Sequence, residues 1–302
     1  VELNIFMKIF DCFMYFDEDI VLDLRLNSLN DFVDYFVIVE SKFNHKGEKR
    51  DLKFDINKYK EFKNKIIYLV FDKEPEDLEI FNKNDSKDVI NGKYILNAGK
   101  RENGQRNFIS NGIKEAQDND IILISDVDEI PNIKKTDFLN IKEKIIMFQQ
   151  DMFYYKFNLR LPKYIWVGTK GCKKKDLISP QWLRNVKDKK YPFYRIDALF
   201  SNTKHTSIRF INDGGWHFTN IKSAKDIEHK LKSYLHHLEF DINPLTVKEI
   251  EKIMNEKHAI YNLNVDQRKT KFGKGPKLYK FEFDRLPKYI KENKEKFERW
   301  LD

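Results

Sequence analysis

The segment Asp120-Ile-Ile-Leu-Ile-Ser-Asp126-Val-Asp128-Glu129-Ile-Pro131 runs four aliphatic residues, Ile121 to Ile124, directly into three carboxylates. A short continuous apolar run with such a break predicts a strand buried on both faces, as inside a parallel sheet. Sheets of this kind bind ligands just beyond the carboxyl ends of their strands, where Asp126, Val127, Asp128 and Glu129 fall. Two like charges about 4 Å apart repel by roughly 4 kcal/mol at an effective dielectric of 20, so crowded carboxylates call for protons or a cation. A divalent metal held by Asp126 and Asp128 and bridging to a phosphate meets that need. A merely solvated acidic turn is the competing reading of Asp-x-Asp taken alone.

Upstream, the pattern alternates strand and helix. Ile5 to Phe10, Tyr35 to Val39 and Ile66 to Phe71 read as strands, and Asp17 to Asn30 as a helix with Leu22, Leu26 and Leu29 on one face. Asn103 to Ala116 carries apolar residues at helical spacing and feeds the strand at 121 to 124. This alternation predicts an α/β fold, a mostly parallel sheet flanked by helices. Downstream, Ile145 to Gln149 and Phe153 to Leu159 read as aromatic-rich strands, Lys170 to Lys175 and Lys187 to Pro192 as basic loops, and Asn212 to Gly215 as a turn. Ile221 to Phe240, Val247 to Ile260 and Leu286 to Leu301 read as helices, the last with Pro287 in its first turn. The expected organisation is a core over residues 1–220 and a C-terminal helical appendage, 221–302, packed on it as one unit.

The chain of 302 residues is long enough for a sizeable core, and 41% hydrophobic with 34% charged residues describes a globular protein. No apolar run approaches the roughly 18 residues that a bilayer crossing needs, and no cleavable signal pattern is visible. Cys12 and Cys172 form neither a disulfide framework nor a metal-ligand spacing, which points to a reduced compartment. The net charge of +8 suits a phosphate-bearing small substrate, nucleic acid or anionic lipid, although the lysines are spread along the chain among acids, as on a solvated surface.

Several side chains could carry chemistry. Glu40 ends its strand in the position Asp126 holds in its own, and could accept hydrogen bonds from a nucleobase or ribose, or cap a turn. Arg106 sits at the margin of a helical apolar face, one turn after Glu102; it could grip a diphosphate bidentately or form a surface pair with Glu102. His217 follows Gly214, Gly215 and Trp216, and could join Asp128 on a metal or sit hydrogen-bonded in the core. Trp216 could be a platform for a sugar ring or simply pack. His236 and His237 lie on or near the following helix. A Walker loop, Gly-x-Gly-x-x-Gly, a Gly-x-Ser-x-Gly elbow and His-Glu-x-x-His are all missing. A bound nucleotide would therefore be held by metal and basic side chains instead of a glycine cradle.

Six motifs then fall in a familiar order: Asp11-Cys-Phe-Met-Tyr-Phe-Asp-Glu18, Val33-Asp-Tyr-Phe-Val-Ile-Val-Glu-Ser41, Leu52-Lys-Phe54, Glu102-x-x-x-Arg106, Ser125-Asp-Val-Asp-Glu-Ile-Pro131 and Gly215-Trp-His217. The chain resembles glycosyltransferase family 17, the family of the β-1,4-N-acetylglucosaminyltransferase that adds bisecting residues to N-glycans. The ending Arg285-Leu-Pro-Lys-Tyr-Ile290 fits the same resemblance. It implies a GT-A-like fold, a UDP-sugar donor, UDP-N-acetylglucosamine in the known member, and inversion at the anomeric carbon onto a glycan acceptor hydroxyl. It also implies Mn²⁺ or Mg²⁺ at Asp126 and Asp128, with Glu40, Arg106, Trp216 and His217 matching family positions. The animal enzymes carry a membrane anchor and none is visible here, so Golgi residence is not carried over; the expected location is the cytoplasm or the periphery of a membrane.

Inversion requires a base across the sugar from the diphosphate. Asp213, beside the Gly-Gly-Trp-His turn, and Glu239, after the histidine pair, are the candidates, with Glu129 a lesser third. Trp216, with Tyr154 or Tyr155, would supply sugar-facing surface. Two other functions compete: a basic module for RNA or anionic glycan using Lys173 to Lys175, and a metal-dependent hydrolase of nucleotide sugars.

Overall fold

The computed structural model describes residues 7–233, 244–261 and 272–302. The first strand, β1 (Ile9–Tyr15), starts later than the apolar run at Ile5 and continues through Asp11 and Cys12. A mid-strand aspartate is tolerated because Arg25 neutralises it from helix α1 (Asp19–Leu29), where Leu22, Leu24, Leu26 and Leu29 are also buried. β2 (Tyr35–Ser41), β3 (Ile66–Phe71) and β4 (Ile121–Asp126) follow, β2 and β4 each running past their aliphatic stretch into the polar residues. β3, β2, β1 and β4 lie side by side and parallel.

Among the described residues the sheet has ten strands, eight of them in the order β3-β2-β1-β4-β7-β6-β9-β5. β5 is Glu129–Pro131, β6 Ile145–Tyr154, β7 Leu159–Lys173 and β9 Gly215–Thr219. β8 (Ile208–Ile211) and β9 take successive halves of one edge of β6, both parallel to it, and β10 (Tyr279–Lys280) adds to β7. The sheet is thus mixed, with a parallel half that ends at β4 and antiparallel pairings of β7 with β4 and β6. Cys12 and Cys172 are buried free thiols. No helix among the described residues is long and apolar enough to cross a membrane.

Several further sequence expectations shift. The segment expected as a helix over 103–116 is the end of a longer helix, α2 (Lys87–Asn107), followed by a 3₁₀ stretch, Phe108–Ile113. Ser86 caps α2 through its hydroxyl, and the early helical turns leave Ile95 and Leu96 exposed, so apolar periodicity shows only at the far end. The expected strand over 153–159 is split: Tyr154 ends β6, a turn with Tyr155 at φ +63° follows, and β7 begins at Leu159. The expected loop over 170–175 lies largely inside β7. Lys170 is buried there, with its ammonium donating to the carbonyls of Arg184 (2.9 Å) and Val186 (2.5 Å) and pairing with Asp188 at 2.7 Å.

The C-terminal part is stitched into the core. The helix Ala224–Ser233 packs with Val247–Asn255, which is shorter than the expected 247–260 and opens on a Thr246–Glu249 capping box. Ile227 and Ile250 meet Met152, Tyr154 and Tyr155 of the β6 end. The expected last helix over 286–301 is two short ones, Lys288–Glu292 and Lys294–Phe297, with Pro287 just ahead of the first. Phe297 packs edge-on against Phe157, and Ile290 joins the same cluster beneath α1.

Candidate active site at the strand ends

In the parallel register Met14 stands beside Asp126 and Tyr15 beside Glu40, so the carboxyl ends of β1, β2 and β4 open together. They border a cavity of about 410 Å³ whose wall includes Arg50, Arg106, Asp126, Asp128, Trp166 and His217. A cavity of this size, mixed in polarity and at the switch of a parallel sheet, is where such folds take ligands.

The Asp-Val-Asp turn is held from below by Arg25. This fully buried guanidinium grips both oxygens of Asp11, at 2.7 and 2.6 Å, and donates to Ser125 Oγ. It also donates to the carbonyls of Asp126, Val127 and Glu129, at 3.1, 3.2 and 2.8 Å. A second clamp is Glu129 itself. Its carboxylate, buried completely, accepts from the Asp126 amide (2.8 Å), Trp166 Nε1 (2.6 Å) and the Arg184 guanidinium (2.7 and 3.0 Å). Glu129 therefore fixes the turn and has no lone pair directed at a substrate.

Asp126 and Asp128, two residues apart, have different surroundings. Asp126 lies between two arginines, with Oδ1 at 3.0 Å from Arg106 and Oδ2 at 3.1 Å from Arg184. Burial opposes its ionisation, yet Arg184 and Arg106 hold its carboxyl below the ordinary carboxylate range. Each oxygen of Asp126, expected beside Asp128 on a metal, thus meets an arginine. Asp128 instead faces His217, with Oδ1 3.4 Å from Nε2. Burial works against both charges, but each stabilises the other: Asp128 is held below its usual range and His217 raised above the ordinary imidazole value. His217 Nδ1 is buried and meets no hydrogen-bond partner among the described residues. No three His, Cys, Asp or Glu side chains among the described residues converge as a ready-made metal cluster.

Strand alternation sorts the remaining candidates. On β9, His217 faces the cavity and its neighbour Trp216 faces the opposite way. On β6, Met152 and Tyr154 face the cavity while Asp151 faces the rear. The rear side holds a second cavity of about 330 Å³, walled by Asp151, Asp213, Trp216, Phe281 and Arg285. Trp216 Nε1 donates there to the Arg285 carbonyl at 3.2 Å, and Asp213 sits at φ +48° in the turn before β9. Asp213 and Trp216 are thus parted from Asp128 and His217. Trp166, which the sequence reading passed over, occupies the front, its ring 5.1 Å from the His217 ring. Gly215 is required where it stands: φ is +127°, and a Cβ would lie 2.1 Å from the Ile130 carbonyl.

Glu40 is buried behind the cavity wall. It accepts from the amides of Lys53 and Phe54 and from the Tyr68 hydroxyl, and pairs with Arg50 at 3.0 Å. Its reach to the cavity is through Arg50, whose guanidinium lies 4.1 Å over the Phe16 ring. Arg106 is at the cavity with its guanidinium shared among Asp126, Glu102 (2.9 Å) and Gln181 (2.5 Å). Tyr154 lines the cavity, and Tyr155 donates its hydroxyl to the His258 carbonyl instead. Glu239, with His236 and His237, lies outside the described residues.

Arg25, Arg50, Arg184 and Trp166 are among the site residues that the sequence reading missed. Arg25 left one trace: a charged residue among Leu22, Leu24, Leu26 and Leu29, paired in pattern with Asp11 in an apolar strand. Arg184 and Trp166 left none, because each reaches the site only through the antiparallel return of β7 and the short helix α3 (Pro180–Asn185).

The fold and cavity define an α/β protein with a charged ligand site at the carboxyl ends of its parallel strands, compatible with a GT-A-like architecture. The chain belongs to glycosyltransferase family 17, whose sequence profile matches residues 2–302. No curated protein matches it. It is accordingly a glycosyltransferase, an enzyme working on a nucleotide-sugar donor and a glycan acceptor.

Proposed function

We propose that the chain transfers N-acetylglucosamine from UDP-N-acetylglucosamine to a glycan hydroxyl by a single displacement with inversion, with Mn²⁺ or Mg²⁺ on the donor diphosphate. The observation that carries this reading is the Asp128–His217 pair, set at 3.4 Å on the wall of the strand-end cavity. One carboxylate and one imidazole suit an ion that completes its shell with phosphate oxygens and water, and the unpartnered His217 ring nitrogen leaves freedom for the ring to adjust. Asp128 and His217 would hold the ion, which when bound supplies positive charge against the diphosphate.

The remaining roles belong to the chain's own side chains. Arg106 and Arg184 keep Asp126 ionised and still, so that the turn bearing Asp128 stays in place. Arg50, steadied by Glu40, is a second cation on the wall, available to diphosphate oxygens. Trp166, fixed through Nε1 by Glu129, offers an apolar wall to the sugar. The acceptor oxygen bonds to the anomeric carbon as the bond from that carbon to the diphosphate breaks, and the hydroxyl proton passes to a carboxylate base. Asp213 opens on the rear cavity, so the proposed base is Glu239.

Donor binding is assigned to residues 1–220, with 221–302 as an extension that completes the cavity wall through Lys230, Tyr261 and Phe272. The proposed location is the cytoplasm. A thermal-shift series of nucleotide sugars with and without Mn²⁺ tests the donor: the largest shift is expected for UDP-N-acetylglucosamine with metal, and a metal-independent preference for another donor contradicts the reading. UDP release that rises when a glycan acceptor is added supports transfer; release that ignores the acceptor points back to hydrolysis. Glu239→Ala is expected to abolish transfer while leaving UDP affinity in place.

A further inference from the structure

The segment from Lys187 to Lys204 presents apolar side chains to solvent in a way that the donor site does not explain. Phe193, Tyr194, Ile196 and Phe200 are 83%, 69%, 68% and 88% exposed. They fall within eight consecutive residues of one loop: the Phe193 and Tyr194 rings lie edge to face at 5.7 Å, Ile196 opens the short helix Ile196–Leu199, and Phe200 follows it. Isolated exposed apolar residues are ordinary, but four large ones gathered at one tip mark a surface that meets something apolar.

The base of the tip is fixed. Lys187 N donates to the Thr203 carbonyl at 2.8 Å and Tyr191 N to the His205 carbonyl at 3.0 Å. Trp182 Nε1, from α3, donates to the Asn202 carbonyl at 2.5 Å. The tip is therefore carried on a closed loop anchored to the same helix that brings Arg184 to Asp126.

Charge decides the partner. Lys187, Lys189, Lys190, Arg195 and Lys204 give five positive charges and Asp188 and Asp197 two negative ones, a net +3 over the segment. The two acids are neutralised within the structure: Asp188 pairs with Lys170 at 2.7 Å, and Asp197 with Arg195 at 2.7 Å and Lys204 at 2.8 Å. Aromatic and aliphatic side chains on a basic collar match the two layers of an anionic bilayer surface, acyl boundary and phosphate headgroups. A partner protein would need an acidic, apolar groove of its own; a bilayer supplies both properties without one.

We propose that the 187–204 loop docks the enzyme onto an anionic membrane surface, with Phe193, Tyr194, Ile196 and Phe200 inserted at the headgroup boundary and Lys187, Lys189 and Lys190 among the phosphates. This docking stands apart from the donor reading and survives if the donor or metal proves different. Such placement brings the cavity to acceptors that are themselves at a membrane.

Co-sedimentation with vesicles tests it. The full chain is expected to bind vesicles of phosphatidylcholine with 30% phosphatidylglycerol, weakly or not at all to bind pure phosphatidylcholine, and to be released by 0.5 M NaCl. Phe193→Ser/Phe200→Ser should lower the partition roughly tenfold or more, with an unchanged melting temperature because both side chains are already in water. Lys187→Gln/Lys189→Gln/Lys190→Gln should lower it too and weaken the salt dependence. Unchanged vesicle binding in the Phe pair, or none in the wild type, overturns the proposal. Sedimentation velocity adds a further check: a dimer that the Phe pair abolishes, without vesicle binding, assigns the tip to a second copy instead.

Discussion

The two faces of the β6–β9 ribbon contrast sharply. The front gathers Asp128, His217 and Trp166 around the strand-end cavity, backed by a chain of buried charges from Arg25 to Glu129 and Arg184. The rear gathers Asp151, Asp213, Trp216 and Arg285 around a cavity that opens away from it. Trp216 and His217 are adjacent in sequence and on opposite faces, whereas Asp128 and His217 are 89 positions apart and 3.4 Å apart in space. Proximity along a strand is thus a poor guide to shared chemistry; parity along the strand is the better one.

If the front carries the chemistry, substitutions should divide by face. The largest effect is expected at Asp128: Asp128→Ala should reduce kcat/KM for transfer by about 10³-fold or more, since several kcal/mol of charge stabilisation on the leaving group is lost. Full activity in that variant would remove Asp128 from the site. Next comes the foundation of the front. Arg25→Met should lower stability by about 3–5 kcal/mol, because Asp11 is left buried without its partner. Urea unfolding would read this, and a loss under 1 kcal/mol would mean that the turn is held otherwise.

Gly168→Ala is a smaller perturbation of the same face. Its Cβ would fall 2.0 Å from Gln150 Oε1 and 3.0 Å from the Glu129 carboxyl carbon, so the clamp on Asp126 must shift. A loss of about 1–3 kcal/mol is expected, with reduced transfer. The rear should be almost silent: Asp213→Asn is expected to change transfer by about twofold at most, with the null effect following from its place on the far wall. A hundredfold loss there would erase the distinction between the faces and return Asp213 as a candidate base.

Much of the parallel half of the fold was legible because strands buried on both faces write themselves as unbroken apolar runs, as at Phe36–Val39 and Ile121–Ile124; the half-buried edge strand Ile66–Phe71 carries an equally unbroken run. The strand ends that define the cavity were legible for the same reason, since Glu40 and Asp126 interrupt those runs. The return of the chain was not. β7 carries Lys170 and Lys173 and so reads as a basic loop, and only the fold reveals that the Lys170 ammonium is satisfied by carbonyls. The early turns of α2 lacked an apolar stripe because they bury little. At the site, Asp126, Asp128, His217 and Arg106 were found from pattern and spacing, but the division of labour between the two aspartates was invisible. It depends on Arg184, brought by a segment whose sequence gives no sign of where it will land.

The central claim is that Asp128 with His217 holds a divalent ion against the donor's diphosphate. Calorimetric titration of UDP in the presence and absence of Mn²⁺, on wild type and on Asp128→Asn, tests it most directly. Metal should tighten UDP binding to the wild type by at least tenfold and leave the Asp128→Asn affinity unchanged. Equal tightening in both proteins would contradict the assignment and move the ion elsewhere in the cavity.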